Sequence, residues 1–160
     1  SEAYSIAEIL DPVDNWGVNK FDESVLKQIG LQGEIAFIEH LRDTVDSPIE
    51  ILHVSLFDDS LGYDIRMTDK EGAVSFFEVK TSSRPVSKKF QFYLSRNEYE
   101  VSSTLVGGKL ACIQIEAGHA EFIGFSPDDF IHGNVPRDAS DVGQWAVVKF
   151  KLSTDLLQKP

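Results

Sequence analysis

Long apolar runs are missing from this chain, as are cysteine pairs and any excess of basic charge. No stretch approaches the roughly 18–20 apolar residues that a membrane helix needs, so no membrane span is expected. The single cysteine, Cys112, cannot form an intrachain disulfide, which suits a reducing cytoplasm. It lies in Lys109-Leu-Ala-Cys-Ile-Gln-Ile and reads as an inert residue buried in a strand. No GxxxxGK[ST] loop is present, which argues against a nucleotide motor, and no Ser-His-Asp arrangement is readable. His40, His53, His119 and His132 lack metal-ligand spacing and read as surface or core histidines. The opening Ser-Glu-Ala-Tyr, without methionine or a basic-then-apolar leader, reads as part of a longer protein and not as a signal peptide.

Acidic residues outnumber basic ones by 26 to 15, for a net charge of −11. That balance argues against a protein that simply coats DNA. Local fields decide contacts, however. Five basic residues, Lys80, Arg84, Lys88, Lys89 and Arg96, fall between Val79 and Asn97 with no acid among them. They are candidate nucleic-acid contacts, the alternative being a solvated strand face.

The 160 residues fit one domain with a sizeable core, and 42% hydrophobic with 26% charged residues is ordinary for a globular chain. Residues 1–20 read as a lead-in or linker with one short helix around 5–10, and 21–160 as a single domain. A helix is expected from Asp22 to about Val45, bent at Gly30 or Gly33 and ended by Ser47-Pro48. Strands follow at 50–56, 62–68, 73–81 and 88–94. Ser95-Arg-Asn-Glu98 matches a capping box, so a helix should run to about Leu105. Strands at 109–116 and 120–125 flank a hairpin at Gly118. Ser126-Pro127-Asp128-Asp129 reads as a helix start with proline at its first position. A polar loop at 133–143 and a strand at 144–152 close the chain. This order predicts an α/β (α+β) domain with a central mixed sheet flanked by helices.

The chemistry concentrates in 62–80. Alternation along a strand puts Glu78 and Lys80 on one face with Val74 and Phe76, and Phe77 and Val79 on the other. A three-residue turn Lys70-Glu71-Gly72 would pair Asp69 with Ala73 and, counting back, Asp64 with Glu78. Two carboxylates so placed repel unless a cation lies between them, and oxygen-only ligation suits Mg²⁺ or Mn²⁺. Lys80 on the same face can hold a water or stabilise charge growing on a phosphoryl oxygen. The bland alternative is a structural ion pair of Asp64 with Arg66 or Lys80. On a helical wheel Glu34 falls within the stripe of Ile38, Leu41 and Val45, an unusual place for an acid unless something positive is near. Its alternative is a first-turn position with the head group in water.

Helix acid, then Asp, then Glu-x-Lys, then a strand and a helix resembles the PD-(D/E)XK nuclease superfamily. More narrowly, Gly33-Glu34, His53-Val-Ser, Gly62-Tyr-Asp-Ile, Glu78-Val-Lys-Thr and Leu94-Ser-Arg-Asn-Glu98 resemble the nuclease-like domain of NO VEIN-type proteins. That domain also occurs beside helicases and other restriction or phage-defence components. The resemblance covers about 30–115. It implies a restriction-endonuclease-like fold and Mg²⁺-dependent phosphodiester hydrolysis, with Mn²⁺ as substitute. Asp64 and Glu78 match the metal ligands, the Val79 carbonyl a third, Lys80 the lysine that positions water, and Glu34 the helix acid. Glu98 also falls at a recurrent position, but its capping role accounts for it. The expected function is a DNA endonuclease module of a larger restriction or defence protein. Its expected partners are nucleic acid, other domains or subunits, and a second copy in a homodimer, with no membrane. The rival is a catalytically silent nuclease-like fold serving as an interaction scaffold.

Overall fold

The computed structural model describes residues 6–10, 20–83, 88–105, 107–136 and 145–159, with side chains of 6–10 and 20–23 left out. Arg84 and Trp16 lie outside the described residues. Eight strands and three helices are seen among them: β1 (Ile6–Leu10), α1 (Lys20–Thr44), β2 (Glu50–His53), β3 (Ile65–Thr68), β4 (Val74–Ser83), β5 (Lys89–Ser95), α2 (Arg96–Thr104), β6 (Gly108–Glu116), β7 (His119–Phe125), α3 (Phe130–Asn134) and β8 (Val147–Ser153). The fold is α+β. Among the described residues no helix is long and apolar enough to cross a membrane.

The larger sheet has the order β2-β3-β4-β6-β7. It is mixed: β4 and β6 run parallel, and every other pair is antiparallel. One face is covered by α1. Phe37, Ile38 and Leu41 pack there on Ile65, Met67, Phe77 and Val79, as the apolar stripe of the helix dictates. The other face meets a second, antiparallel sheet of order β1-β8-β5, not a helix layer. Leu110 and Cys112 of β6 pack against Phe90, Phe92, Leu94, Phe150 and Leu152, with α3 closing the end. Cys112 is fully buried, in agreement with the sequence.

Several boundaries differ from expectation for identifiable reasons. Residues 6–10 form a strand instead of a helix, because Ile6 to Leu10 pair along β8. Helix α1 starts at Lys20 and continues without interruption through both glycines. Gly33 serves proximity: a Cβ there would sit 1.8 Å from Thr81 Oγ1, so glycine lets α1 press onto β4. Strand β2 stops at His53 and passes into 3₁₀ turns over Val54–Leu56 and Asp59–Leu61. β3 begins only at Ile65, since Gly62 adopts a left-handed φ of 78° and turns the chain. The Ser126-Pro127 start is displaced: Ser126 N–H donates to the Leu110 carbonyl, and the helix begins at Phe130. β8 spans Val147–Ser153, a few residues later than read from the pattern.

Candidate functional site

The hairpin register matches the turn count. Asp69 N–H donates to the Ala73 carbonyl, and the ladder runs through Thr68↔Val74 to Ile65↔Phe77. β3 then leaves β4. Continuing the register would give the Val79 N–H to the carbonyl of residue 63. It donates instead to Asp64 Oδ2 at 2.7 Å. Asp64 is fixed at its backbone as well: its N–H donates to the Phe77 carbonyl, and its own carbonyl accepts from Val54 and Ser55 N–H. The carboxylate thus occupies the gap where β3 peels away, open to residues from both faces of the sheet.

Glu34 reaches this gap from α1, one residue past the Gly33 approach. Its side chain is only 14% exposed and accepts from Ser55 Oγ. It also lies beside the Asp64 carboxyl, whose proton affinity it raises. Burial above all pushes the Asp64 carboxyl up to about 7. The Glu34 charge and hydrogen bond add to this, against the Val79 N–H and the Lys80 charge. His53 Nε2 lies 3.5 Å from Glu34 Oε1 but makes no hydrogen bond among the described residues. Burial lowers the His53 imidazole below its ordinary value despite the nearby Asp64 charge, so this contact is not an ion pair near neutral pH.

On the other side of β4, Lys80 Nζ stands 3.0 Å from Glu78 Oε1 and 2.8 Å from Glu98 Oε2. Burial alone would lower the lysine, but the Glu78 and Glu98 charges outweigh it and keep the ammonium charged well beyond neutral pH. Burial, with the Glu98 and Asp64 charges behind it, raises the Glu78 carboxyl well above the usual range against the pull of Lys80. Three carboxyl groups, those of Asp64, Glu78 and Glu98, therefore act on one ammonium, and Glu34 adjoins them through Asp64. Glu78 and Glu98 also line an apolar cleft walled by Tyr63, Phe76, Leu94 and Ile131.

The donor set is all oxygen and suits a hard divalent cation. As the side chains stand, no three His, Cys, Asp or Glu among the described residues enclose a point where one ion could sit. Lys80 engages Glu78, while Ser55 engages Glu34. Val79 meets the site through its N–H, which donates to Asp64 Oδ2.

Lys88 and Lys89 stand where β5 opens, whereas Ser95, which ends it, is the residue tied to Glu98. At about 3.3 Å per residue this puts the two lysines roughly 20 Å from the Glu98 end, so they do not rim the carboxyl cluster. Arg96 stacks 4.7 Å above the buried Trp145 ring and pairs with Glu100. Three residues gain importance over the sequence reading. Glu98 holds Lys80 besides capping α2, and Ser55 and His53 flank Glu34. The signal was present, since His53-Val-Ser and Glu98 are among the tokens of the resemblance.

No curated protein and no solved structure matches the chain. Residues 33–106, which include Glu34, Asp64, Glu78, Lys80 and Glu98, match the family model described as Protein NO VEIN, C-terminal, and it is to that family that this part of the chain is similar.

Proposed function

We propose that the carboxyl cluster is a divalent-metal site for hydrolysing nucleic-acid phosphodiesters, as the likeness to PD-(D/E)XK nucleases implies. The observation that supports this reading most is the convergence of buried acids: Asp64, Glu78 and Glu98 act on the single Lys80 ammonium, Glu34 adjoins Asp64, and burial raises the Asp64 carboxyl to about 7 and the Glu78 carboxyl well above the usual range. The raised Asp64 carboxyl binds a proton at a place where a divalent ion would compete for it. Asp64 and Glu78 would hold the ion, with Glu34 beside them. When bound, Mg²⁺ or Mn²⁺ supplies Lewis-acid polarisation of the scissile phosphate and a more acidic water. Lys80 donates hydrogen bonds to that water or to the phosphoryl oxygen, and Glu98 keeps the ammonium in position. The low overall charge fits a cutting module whose neighbours in a larger restriction or defence protein supply most of the DNA affinity.

A second reading has its own support. Lys80 clamped between Glu78 and Glu98 is a complete ion triad joining β4 to α2, which a silent scaffold would retain without any metal. Calorimetry with Mg²⁺ and Mn²⁺, paired with cleavage assays on DNA and RNA, separates the two. The nuclease reading expects metal binding that Asp64→Asn abolishes. It also expects cleavage that Lys80→Gln abolishes while metal binding persists. Absence of metal binding by the wild type, or binding without cleavage of any substrate including modified DNA, favours the scaffold.

A further inference from the structure

The apolar cleft beside the carboxyl cluster has no part in the metal chemistry above. It holds about 610 Å³ counting its open mouth, within the roughly 300–1,000 Å³ of small-molecule sites. Phe76, Leu94, Leu110 and Ile131 give it an apolar lining, and Tyr63 stands edge-on to Phe76 with ring centroids 5.0 Å apart. Gly108 of β6 has the same strand parity as Leu110, so the lack of a side chain there keeps the cleft open. Packing does not demand this glycine, since a Cβ would meet nothing closer than the Leu105 carbonyl at 3.4 Å. Polar groups enter the lining at a few points. Glu98 uses Oε2 for both Lys80 and Ser95, and Glu78 uses Oε1 for Lys80. Each therefore keeps one carboxylate oxygen without a hydrogen bond among the described residues. Ser126 is buried, and its hydroxyl has only a long 3.4 Å bond to the carbonyl of the next residue. Lys80 already offsets the two acids, and the exposed lining residues Lys109, His132 and Asp128 are of mixed sign, so the cleft does not call for a full cation.

We infer that this cleft receives one nucleobase of the substrate strand, turned out of the stack, and favours bases that carry an exocyclic amino group. Apolar and aromatic walls suit a neutral planar ring. Free carboxylate oxygens suit N–H donors such as cytosine N4 or adenine N6, whereas thymine would set its O4 acceptor against them. Glu78 belongs both to the cleft wall and to the carboxyl cluster, so a base held here brings its own strand beside the candidate metal site. That placement rests on the nuclease reading above; capture of the base does not, because it needs no metal.

The test is heteronuclear NMR of the 160-residue chain in EDTA, titrated with millimolar deoxycytidine, deoxyadenosine or thymidine. Uncharged nucleosides keep the acidity of the chain from masking the contact. The Gly108 amide should shift with the first two, and thymidine should bind about tenfold more weakly. Gly108→Leu, which sends a side chain into the cleft, should abolish binding of all three, and Gly108→Ala should weaken it if the larger variant fails to fold. Glu98→Gln should erase the preference for deoxycytidine over thymidine, because an amide both donates and accepts; a purely structural Glu98 would leave that preference intact. Thermal melting of each variant checks the fold. Oligo-dC should displace deoxycytidine, as a base carried on a strand must. The inference is overturned if no nucleoside shifts Gly108, if thymidine binds as tightly as deoxycytidine, or if folded Gly108→Leu binds like wild type. Tighter binding of N-acetylarginine amide would assign the cleft to a cationic protein side chain instead, and deoxycytidine that oligo-dC cannot displace would assign it to a free nucleotide. Metal-dependent cleavage without nucleoside binding would remove the base site and leave the metal site standing. Nucleoside binding without cleavage of any strand would keep the base site and remove the nuclease reading.

Discussion

One oxygen of Glu98, Oε2, accepts from both the Lys80 ammonium at 2.8 Å and the Ser95 backbone N–H at 3.0 Å. The residue that closes the capping box of α2 is therefore the same one that holds the lysine of the candidate site. Helix and strand are joined at a buried charge. Further ties fasten α2 to the segment leading into Asp64: Asn97 Nδ2 donates to the Ser60 carbonyl, and Gly62 approaches Val101 closely enough that a Cβ would come within 2.6 Å.

This dual role predicts a graded response. Glu98→Ala removes the reciprocal cap and one of two anionic partners of a buried ammonium. A loss of about 2 kcal/mol in urea denaturation is expected. Glu98→Gln keeps an acceptor for the Ser95 N–H while discarding the charge, so the loss should be about half as large. Equal losses for the two variants would mean that the charge alone matters, and no loss for Glu98→Gln that the cap alone does.

The hairpin register was legible because turn length and strand alternation are local constraints that determine each other. The buried stripe of α1 was legible for the same reason, and Phe37, Ile38 and Leu41 lie in the core as the wheel requires. The second sheet was not legible. Phe90, Phe92 and Leu94 read as a strand, but periodicity does not say that its partner is β8, more than fifty residues later. The Lys80–Glu98 contact was missed because the cap already accounted for Glu98, whereas one carboxylate oxygen can accept two hydrogen bonds. Lys88 and Lys89 follow the Glu-x-Lys motif closely in sequence, yet a strand of seven residues carries them away from the site.

The two glycines of α1 should respond in opposite directions. Nothing lies within 4 Å of a Cβ built at Gly30, whereas at Gly33 it meets Thr81 Oγ1 at 1.8 Å and Thr81 Cβ at 3.0 Å. Gly30→Ala should stabilise by about 0.5–1 kcal/mol through helix propensity alone. Gly33→Ala should destabilise by about 1–3 kcal/mol by forcing α1 off β4. Thr81→Ala should relieve part of that cost in a double-mutant cycle, because it removes the nearer atom and leaves the Cβ. Strictly additive effects would show that α1 and β4 do not meet there.

Arg96 should prove structural. Its guanidinium lies over buried Trp145 and pairs with Glu100. Arg96→Ala should cost about 1 kcal/mol of stability and leave any DNA affinity at low salt close to wild type. A large loss of affinity with unchanged stability would return it to the set of nucleic-acid contacts.

The pH dependence follows from Asp64. Its carboxyl is held at about 7 in the fold against an ordinary 3.8, so between those values the folded chain binds the proton more tightly than the unfolded chain does. Stability in chelator should therefore fall as pH rises from about 4 to about 7, by at most about 1.4 kcal/mol per pH unit, and level off above. Asp64→Asn keeps an acceptor for the Val79 N–H but has no proton to lose. It should flatten this part of the profile and melt higher than wild type at pH 8 in EDTA. Mg²⁺ or Mn²⁺ should act in the opposite sense, because the ion competes with that proton and stabilises only the state that binds it. Addition of Mn²⁺ should thus raise the wild-type melting temperature more at pH 8 than at pH 5.5 and leave Asp64→Asn unmoved at either. Should Asp64→Asn melt lower than wild type at pH 8 in EDTA, the carboxylate is a structural bracket for β4 first, and the opposed acids are not waiting for a cation.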